Sequence, residues 1–257
     1  MGGRLQGWAV GNLVGAFEVE ILRASSSDAL RMTRPIGRER GRGMACPICE
    51  KRKAGRFCPA KGEKICAVCC GTEREVTIDC PWDCGYLLAA RRYEQDHPKP
   101  VPPEEVPFPD VEVRQDLIHE HRVTLSGLGA TILIYAANVG RGNELVDRQA
   151  MAALTALAET YRTLGSGIYY EKPPDEPEAR GLYGKLAEFV QKTQKLDAQE
   201  GRPWKDAQVL PLLVFLLRVA RARTSGRPRS RAFLDFLRAQ FPGSVEKEAE
   251  RSRIIVP

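Results

Sequence analysis

Residues 44–84 read MACPICEKRKAGRFCPAKGEKICAVCCGTEREVTIDCPWDC and contain all eight cysteines of the 257-residue chain. The cysteines are Cys46, Cys49, Cys58, Cys66, Cys69, Cys70, Cys80 and Cys84. A dense, even-numbered block of cysteines indicates metal ligands or disulfides. The N-terminal residues do not resemble a secretion signal, because Trp8 to Phe17 contains glycines, runs into Glu18 and lacks a small-residue cleavage site. We therefore expect a reducing cytoplasm, where thiolate–metal ligation is favoured over disulfides.

The spacing of the cysteines predicts two zinc ions. Two CxxC pairs are separated by 16 residues, and a CxxC turn places two sulfurs where one tetrahedral zinc ion takes both. The first predicted site is Cys46, Cys49, Cys66 and Cys69. The other four cysteines are the number that a second ion needs, and they are Cys58, Cys70, Cys80 and Cys84. Cys80 and Cys84 are spaced to share one face of a helix that continues through Tyr86.

The cysteine block resembles cross-brace zinc fingers of the MYND, HIT and B-box kind, in which the first and third ligand pairs share one metal. The likeness lies in the CxxC, the gap of eight residues, the second CxxC and the closing pair three residues apart. Those fingers place a ligand shortly after Cys58, where this chain has Ala60 and Lys61, so Cys70 would stand in. The phrases ICAVCCGTEREV (65–76) and CPWDCGYL (80–87) are also similar to an uncharacterised group of bacterial cysteine-rich zinc-finger proteins.

Other uses of these cysteines stay open from the sequence alone. They are a single zinc ion with the other thiols buried, an iron–sulfur cluster, a disulfide scaffold, and a redox CxxC of the thioredoxin type. His97 could also replace one cysteine in the second site. The two-zinc interpretation is favoured because the block has few large apolar residues, so a metal would supply folding energy. A site with four thiolates has no open position and is structural rather than catalytic.

The rest of the chain predicts an all-α domain of about five helices. The predicted layout is a disordered or mis-annotated extension (1–43, with translation starting at Met44), the zinc-binding module (44–97), a proline-rich linker (98–110), the helical domain (111–244) and a flexible tail (245–257). Apolar residues near a 3.6-residue period place helices at 111–137, 147–164, 177–198, 204–224 and 228–241. We expect the first helix to be broken around Gly127 and Gly129. No apolar run is long enough to span a bilayer.

The charge pattern suggests where an anionic partner would bind. The chain carries a net charge of +6. Eight thiolates and two zinc ions would turn the +2 of residues 44–99 into −2, which argues against binding of phosphates by charge alone at the finger. Six arginines and no acid fall in a short C-terminal stretch: Arg218, Arg221, Arg223, Arg227, Arg229 and Arg231. They form a candidate anion or nucleic-acid patch, although Gly226 and Pro228 also suit an ordinary solvated turn between helices.

Together these patterns predict a non-enzymatic, zinc-binding protein-interaction module. MYND-like fingers usually bind proteins, so the resemblance implies a protein partner; the alternative is a nucleic-acid-binding protein that uses the arginine patch. The chain has no nucleophile motif, phosphate-binding loop or dinucleotide fingerprint, and no small-molecule substrate is indicated. The pair His119 and His121 has the wrong spacing for a helical metal motif, since neighbouring helix residues point apart. An enzyme with its site in a groove of the helical domain is a third hypothesis.

Overall fold

The computed structural model describes residues 44–97, 100–139, 144–199, 201 and 204–241. The predictions for residues 1–43 and 245–257 lie outside these ranges. The chain divides into two compact units. In its described part, the cysteine unit comprises residues 44–97 and 227–229, and the helical unit comprises the rest.

The cysteine unit is built from a hairpin and two helices. Strands β1 (Arg56–Cys58) and β2 (Glu63–Ile65) pair antiparallel, with Phe57 opposite Lys64. Helix α1 is Ala67–Glu73 and helix α2 is Gly85–Asp96. The hairpin turn closes when the Gly62 amide donates to the Cys58 carbonyl at 2.9 Å, and Gly62 supplies a φ of 69° that other residues adopt only with strain. Because strand side chains alternate, Cys58 and Ile65 face inward while Phe57 and Lys64 face solvent.

Cysteines make up most of the core of the cysteine unit. Its buried cluster joins three apolar residues to four thiols, and the members are Cys46, Ala54, Cys58, Ile65, Cys66, Cys69 and Ile78. Three small or medium apolar side chains bury too little surface to hold a unit of this size together. A metal ion bound by these thiols could add the stability that so small an apolar core lacks.

The helical unit has the predominantly helical structure that the sequence predicts. Its helices are α3 (Gln115–Glu120), α4 (Arg122–Asn138), α5 (Asp147–Gly165), α6 (Pro177–Gln199), α7 (Asp206–Arg223) and α8 (Ala232–Gln240). None of the helices in the described ranges combines the length and apolarity that crossing a membrane requires.

The first long helical segment breaks at His121, so the prediction of a break around Gly127 and Gly129 is wrong. His121 ends α3 and precedes α4, with φ −97° and ψ 24°. The two glycines instead allow close packing: a Cβ at Gly127 would lie 2.2 Å from the ring of Phe189. Their role is to admit an aromatic ring against the helix backbone rather than to bend it.

Residues 100–110, which the sequence suggests as a linker, belong to the helical unit. Phe108 is buried in the helical core. The guanidinium of Arg218 on α7 donates to the carbonyls of Pro107 at 3.1 Å, Phe108 at 2.5 Å and Val111 at 2.9 Å. A single partly buried guanidinium thus binds three backbone carbonyls of this segment and the residue after it, of which that of Phe108 also accepts from the Val111 amide at 3.0 Å.

A buried carboxylate fixes the last helix of the helical unit. Asp147, at the start of α5, is fully buried. It accepts hydrogen bonds from the Ser230 hydroxyl at 2.7 Å and from the backbone amides of Phe233 at 3.2 Å and Leu234 at 3.3 Å. These are the amides that the first turn of α8 leaves without helical partners, so Asp147 caps α8 from another helix.

Candidate metal centre

The two CxxC pairs converge on one point. The Sγ atoms of Cys46, Cys49, Cys66 and Cys69 all lie within 4.8 Å of one another, and those of Cys49 and Cys66 are 3.9 Å apart. A zinc ion with four thiolates at about 2.3 Å in a tetrahedron separates neighbouring sulfurs by about 3.8 Å. The cluster is therefore compatible with one bound metal ion.

Backbone hydrogen bonds set the positions of the four sulfurs. The first pair lies on a tight turn, in which the Glu50 amide donates to the Cys46 carbonyl at 2.7 Å. The second pair flanks the start of α1, where the Cys69 amide donates to the Sγ of Cys66 at 3.3 Å. The two pairs are joined by the Cys66 amide, which donates to the Sγ of Cys46 at 3.2 Å. Such N–H donors favour thiolate, the form that binds a metal.

The thiols of the cluster hold their protons unequally. The backbone N–H of Lys51 is the main cause that lowers the pKa of Cys49 to about 6. Burial alone would raise the pKa of Cys46. Backbone hydrogen bonds, of which that from Cys66 has the largest effect, outweigh burial and lower the pKa. Burial, with hydrogen bonds from the neighbouring thiols, raises the pKa of Cys69 to about 12. A bound cation would have to displace at least the proton on Cys69.

The geometry of these four residues bears on two of the chemistries that the sequence leaves open, the disulfide scaffold and the iron–sulfur cluster. All eight cysteines are free thiols, and the 3.9 Å between Cys49 and Cys66 is too long for a disulfide bond. A cluster of several iron atoms needs its thiolates further apart than one central ion does. Four thiols within 4.8 Å suit a single ion. With all four positions filled by sulfur, that ion has no place for a substrate.

The four cysteines of the predicted second site are arranged more loosely. Within the ranges that the structure describes, Cys58, Cys70, Cys80 and Cys84 do not form a group as compact as the first. Burial raises the pKa of Cys80, a hydrogen bond from the Glu75 backbone opposes that effect, and the charges of Cys84 and Cys58 add to it. The Sγ of Cys70 instead faces the guanidinium of Arg74 at 3.9 Å.

The structure also describes the helix face predicted for the second site and the position of His97. Cys84 is the N-cap of α2 and its amide donates to the Pro81 carbonyl at 3.0 Å, so the expectation that Cys80 and Cys84 share a helix face is wrong. A proline and a turn separate them. His97 follows α2, where its Nδ1 lies 2.9 Å from the Tyr93 carbonyl and its ring stacks on that of Tyr93.

The predicted arginine patch is distributed over both units, and four of its members lie in the helical unit. Arg218 binds backbone carbonyls as described above. Arg221 pairs with Glu105, and Arg231 pairs with Glu144 at 2.8 Å. The guanidinium of Arg223 lies 4.4 Å from the ring centre of Phe236.

The other two arginines belong to the cysteine unit. Arg227 donates to the carbonyls of Gly71 at 2.9 Å and Arg74 at 2.6 Å. Arg229 lies 3.7 Å from the carboxylate of Asp79. Every arginine of the predicted patch thus has a contact within its own unit, and the common anion-binding surface stays a prediction.

The sequence analysis predicts neither the hairpin nor helix α1 of this unit. The strands of the hairpin have only three residues each, which is too short for an alternating pattern to be recognised. The turn between them, PAKG at residues 59–62, contains the proline and glycine that signal a reversal.

Comparisons with protein families, with curated proteins and with solved structures find no match for this chain. The class is therefore defined by the site itself. The protein has a four-cysteine cluster compatible with metal binding, and it has a separate helical unit.

Proposed function

We propose that the cysteine unit is a structural zinc module and that the chain acts as a non-enzymatic binding protein of the cytoplasm. The observation that supports this most is the convergence of the Sγ atoms of Cys46, Cys49, Cys66 and Cys69 within 4.8 Å. Three of the four residues are buried, and the fourth is partly buried. A closed, buried thiolate cage holds a fold together and leaves no coordination position for catalysis.

Zinc is the metal that fits this cage best. Soft thiolate ligands in a tetrahedron select zinc or iron–sulfur chemistry over calcium, magnesium or manganese. The compactness of the four sulfurs argues against a multi-iron cluster, as shown above. A cytoplasmic location would keep all the thiols reduced and available to the ion.

A second zinc ion held by Cys58, Cys70, Cys80 and Cys84 is part of this proposal. Burial raises the pKa of Cys80, and the charges of Cys84 and Cys58 contribute to the same effect, which supports a grouping of these three thiols around one ion. The fourth ligand would be supplied when the Sγ of Cys70 exchanges its 3.9 Å contact with Arg74 for the metal. Two metal ions would then fix residues 65–84 in place, which the small apolar core of the unit is not large enough to do alone.

The surface of the cysteine unit supports binding rather than catalysis. Large apolar side chains stand exposed on it, which is typical of a surface that meets a partner. They are Phe57, Val68, Val76, Trp82, Tyr86, Leu88 and Tyr93. A protein partner is what the resemblance to MYND-like fingers implies, and it stays a prediction. The arginine patch of the alternative hypothesis gains no support, because its members contact groups of their own units.

The proposal is tested by native mass spectrometry of the full chain purified without added metal. We expect two zinc ions in the wild type and one in each of the single variants Cys69→Ser and Cys84→Ser. The matched control is His97→Ala, which should retain both ions. If the wild type holds one zinc ion, and Cys69→Ser loses it while Cys84→Ser keeps it, the proposal is restricted to the first site. A wild type without zinc, or a Cys69→Ser variant with an unchanged count, would overturn it.

A further inference from the structure

The charges of the cysteine unit are separated along the chain. Residues 44–64, which contain the first CxxC and almost all of the hairpin, carry six Lys or Arg and two acids, a net charge of +4 before the charges of thiolates and metal are counted. Residues 65–97 carry three Lys or Arg and six acids, a net charge of −3. A total taken over the whole unit hides this separation. The first CxxC and the hairpin therefore carry a local excess of basic side chains, which attracts polyanions.

The cations of residues 44–64 are available to a ligand. Five of them are exposed and make no ion pair or hydrogen bond through their side chains within the described part of the chain: Lys51, Arg52, Lys53, Lys61 and Lys64. This contrasts with the arginines of the C-terminal stretch, which all have contacts. Charges that the fold does not use, gathered on one short segment, are typical of a contact surface for phosphates.

An aromatic ring lies beside one of these cations. Phe57 is 55% exposed on β1, directly opposite Lys64 on β2, so the two side chains are neighbours on the outer face of the hairpin. A second aromatic, Tyr86, lies under the guanidinium of Arg56 at 4.8 Å. Exposing a phenylalanine ring to water is unfavourable, and a ring beside Lys64 offers both a stacking surface and charge.

We propose that this hairpin face, defined as Lys51–Lys53, Arg56, Phe57, Lys61 and Lys64, binds single-stranded nucleic acid. Unpaired bases stack on exposed aromatic rings while neighbouring lysines and arginines contact the phosphates. An acidic peptide or an anionic membrane would use the charges but would give the ring of Phe57 no flat partner. The inference rests on the proposed zinc module, since the metal would hold the hairpin in place, and it names a partner class for that module.

The expected effects follow from the number of contacts. With up to five cations on phosphates, binding to single strands should weaken with salt with a log–log slope of about −2 to −3.5. The double variant Lys53→Ala/Lys64→Ala should reduce that slope by about 1.4. Phe57→Ala should weaken binding about tenfold at every salt concentration and leave the slope unchanged, because stacking releases no counterions.

The test uses the zinc-loaded full chain and a labelled oligouridine of about 16 nucleotides, followed by fluorescence anisotropy between about 50 and 200 mM salt. The matched charge control is Lys192→Ala/Lys195→Ala, on the exposed face of α6, and the matched aromatic control is Tyr169→Ala. Both controls should bind as the wild type does. Polyglutamate and vesicles of phosphatidylserine serve as the competing polyanions, and both should bind more weakly.

Absence of oligouridine binding at about 50 mM salt would overturn the proposal. So would equal losses in the hairpin variants and the controls, or polyglutamate binding as tight as oligouridine with no effect of Phe57→Ala. The zinc content of each sample separates this inference from the proposed function. A protein that retains zinc without binding oligouridine refutes only the nucleic-acid inference, and one that binds oligouridine without zinc refutes only the zinc module.

Discussion

Zinc binding should release a number of protons that depends on pH between 5 and 7. A change of pH alters how many ligands of the first site have already lost their proton before zinc binds. Cys49, with its pKa of about 6, is about nine-tenths ionised at pH 7 and about nine-tenths protonated at pH 5. Cys69, with its pKa of about 12, holds its proton at both values. All four sulfurs must be thiolates once the ion is bound.

The proton count of the first site follows from these values. At pH 7, zinc binding there should release at least the proton of Cys69 and about three protons at most, because Cys49 has almost none to give. At pH 5 the count should be higher by at least about 0.8, since Cys49 is protonated again and the lowered pKa of Cys46 acts in the same direction. Lowering the pH therefore weakens zinc binding, with a slope that steepens as Cys49 gains its proton.

Isothermal titration calorimetry in two buffers of different ionisation enthalpy measures the count directly. The Cys84→Ser variant confines the measurement to the first site. Lys51→Ala is the control, because the backbone N–H and not the side chain of Lys51 is the main cause of the low pKa of Cys49. It should leave the count unchanged. Release of four protons at pH 7, or of the same number at pH 5 and pH 7, would show that Cys49 is not ionised ahead of zinc binding.

Three further predictions concern stability. Asp147→Ala should lower the free energy of unfolding of the helical unit, measured in urea, by about 2–4 kcal/mol, because it removes the cap on the Phe233 amide and its neighbours. Asp147→Asn should lower it by less. Equal stability of the wild type and both variants would contradict the capping role. Gly127→Ala should lower the free energy of unfolding of the helical unit by about 1–3 kcal/mol, because it forces a methyl group against Phe189. The control Gly184→Ala, whose new methyl group meets nothing within 4 Å, should stabilise its helix. A lower stability in both variants would contradict the packing role of Gly127. A zinc chelator should remove the near-ultraviolet signal of the cysteine unit and leave most of the helical far-ultraviolet signal, and a full loss of helix would show that the helical unit depends on metal.

The features that the sequence predicts well depend on local patterns. The helix predicted at 147–164 is observed as Asp147–Gly165, and the one at 177–198 as Pro177–Gln199, because long amphipathic periods determine which face is buried. The first cysteine cluster is predictable for the same reason, since each CxxC turn presents two sulfurs within a few residues of each other.

The features that the sequence does not predict depend on contacts between distant residues. Gly127 looks like a helix breaker until Phe189, 62 positions later, is seen to pack on it. The proline-rich segment looks like a free spacer because the three carbonyls that Arg218 binds are more than 100 residues away in sequence. Arginines clustered in sequence suggest one surface, yet their guanidinium groups turn to acceptors in two different units.

The proposed zinc module requires that the sulfur atoms of Cys46, Cys49, Cys66 and Cys69 enclose a zinc ion. Zinc X-ray absorption spectroscopy on the Cys84→Ser variant, which leaves this site intact, measures the ligands of that ion. We expect four sulfur ligands at about 2.3 Å and no nitrogen or oxygen ligand. A ligand shell with nitrogen or oxygen atoms, or a protein that holds no zinc, would contradict it.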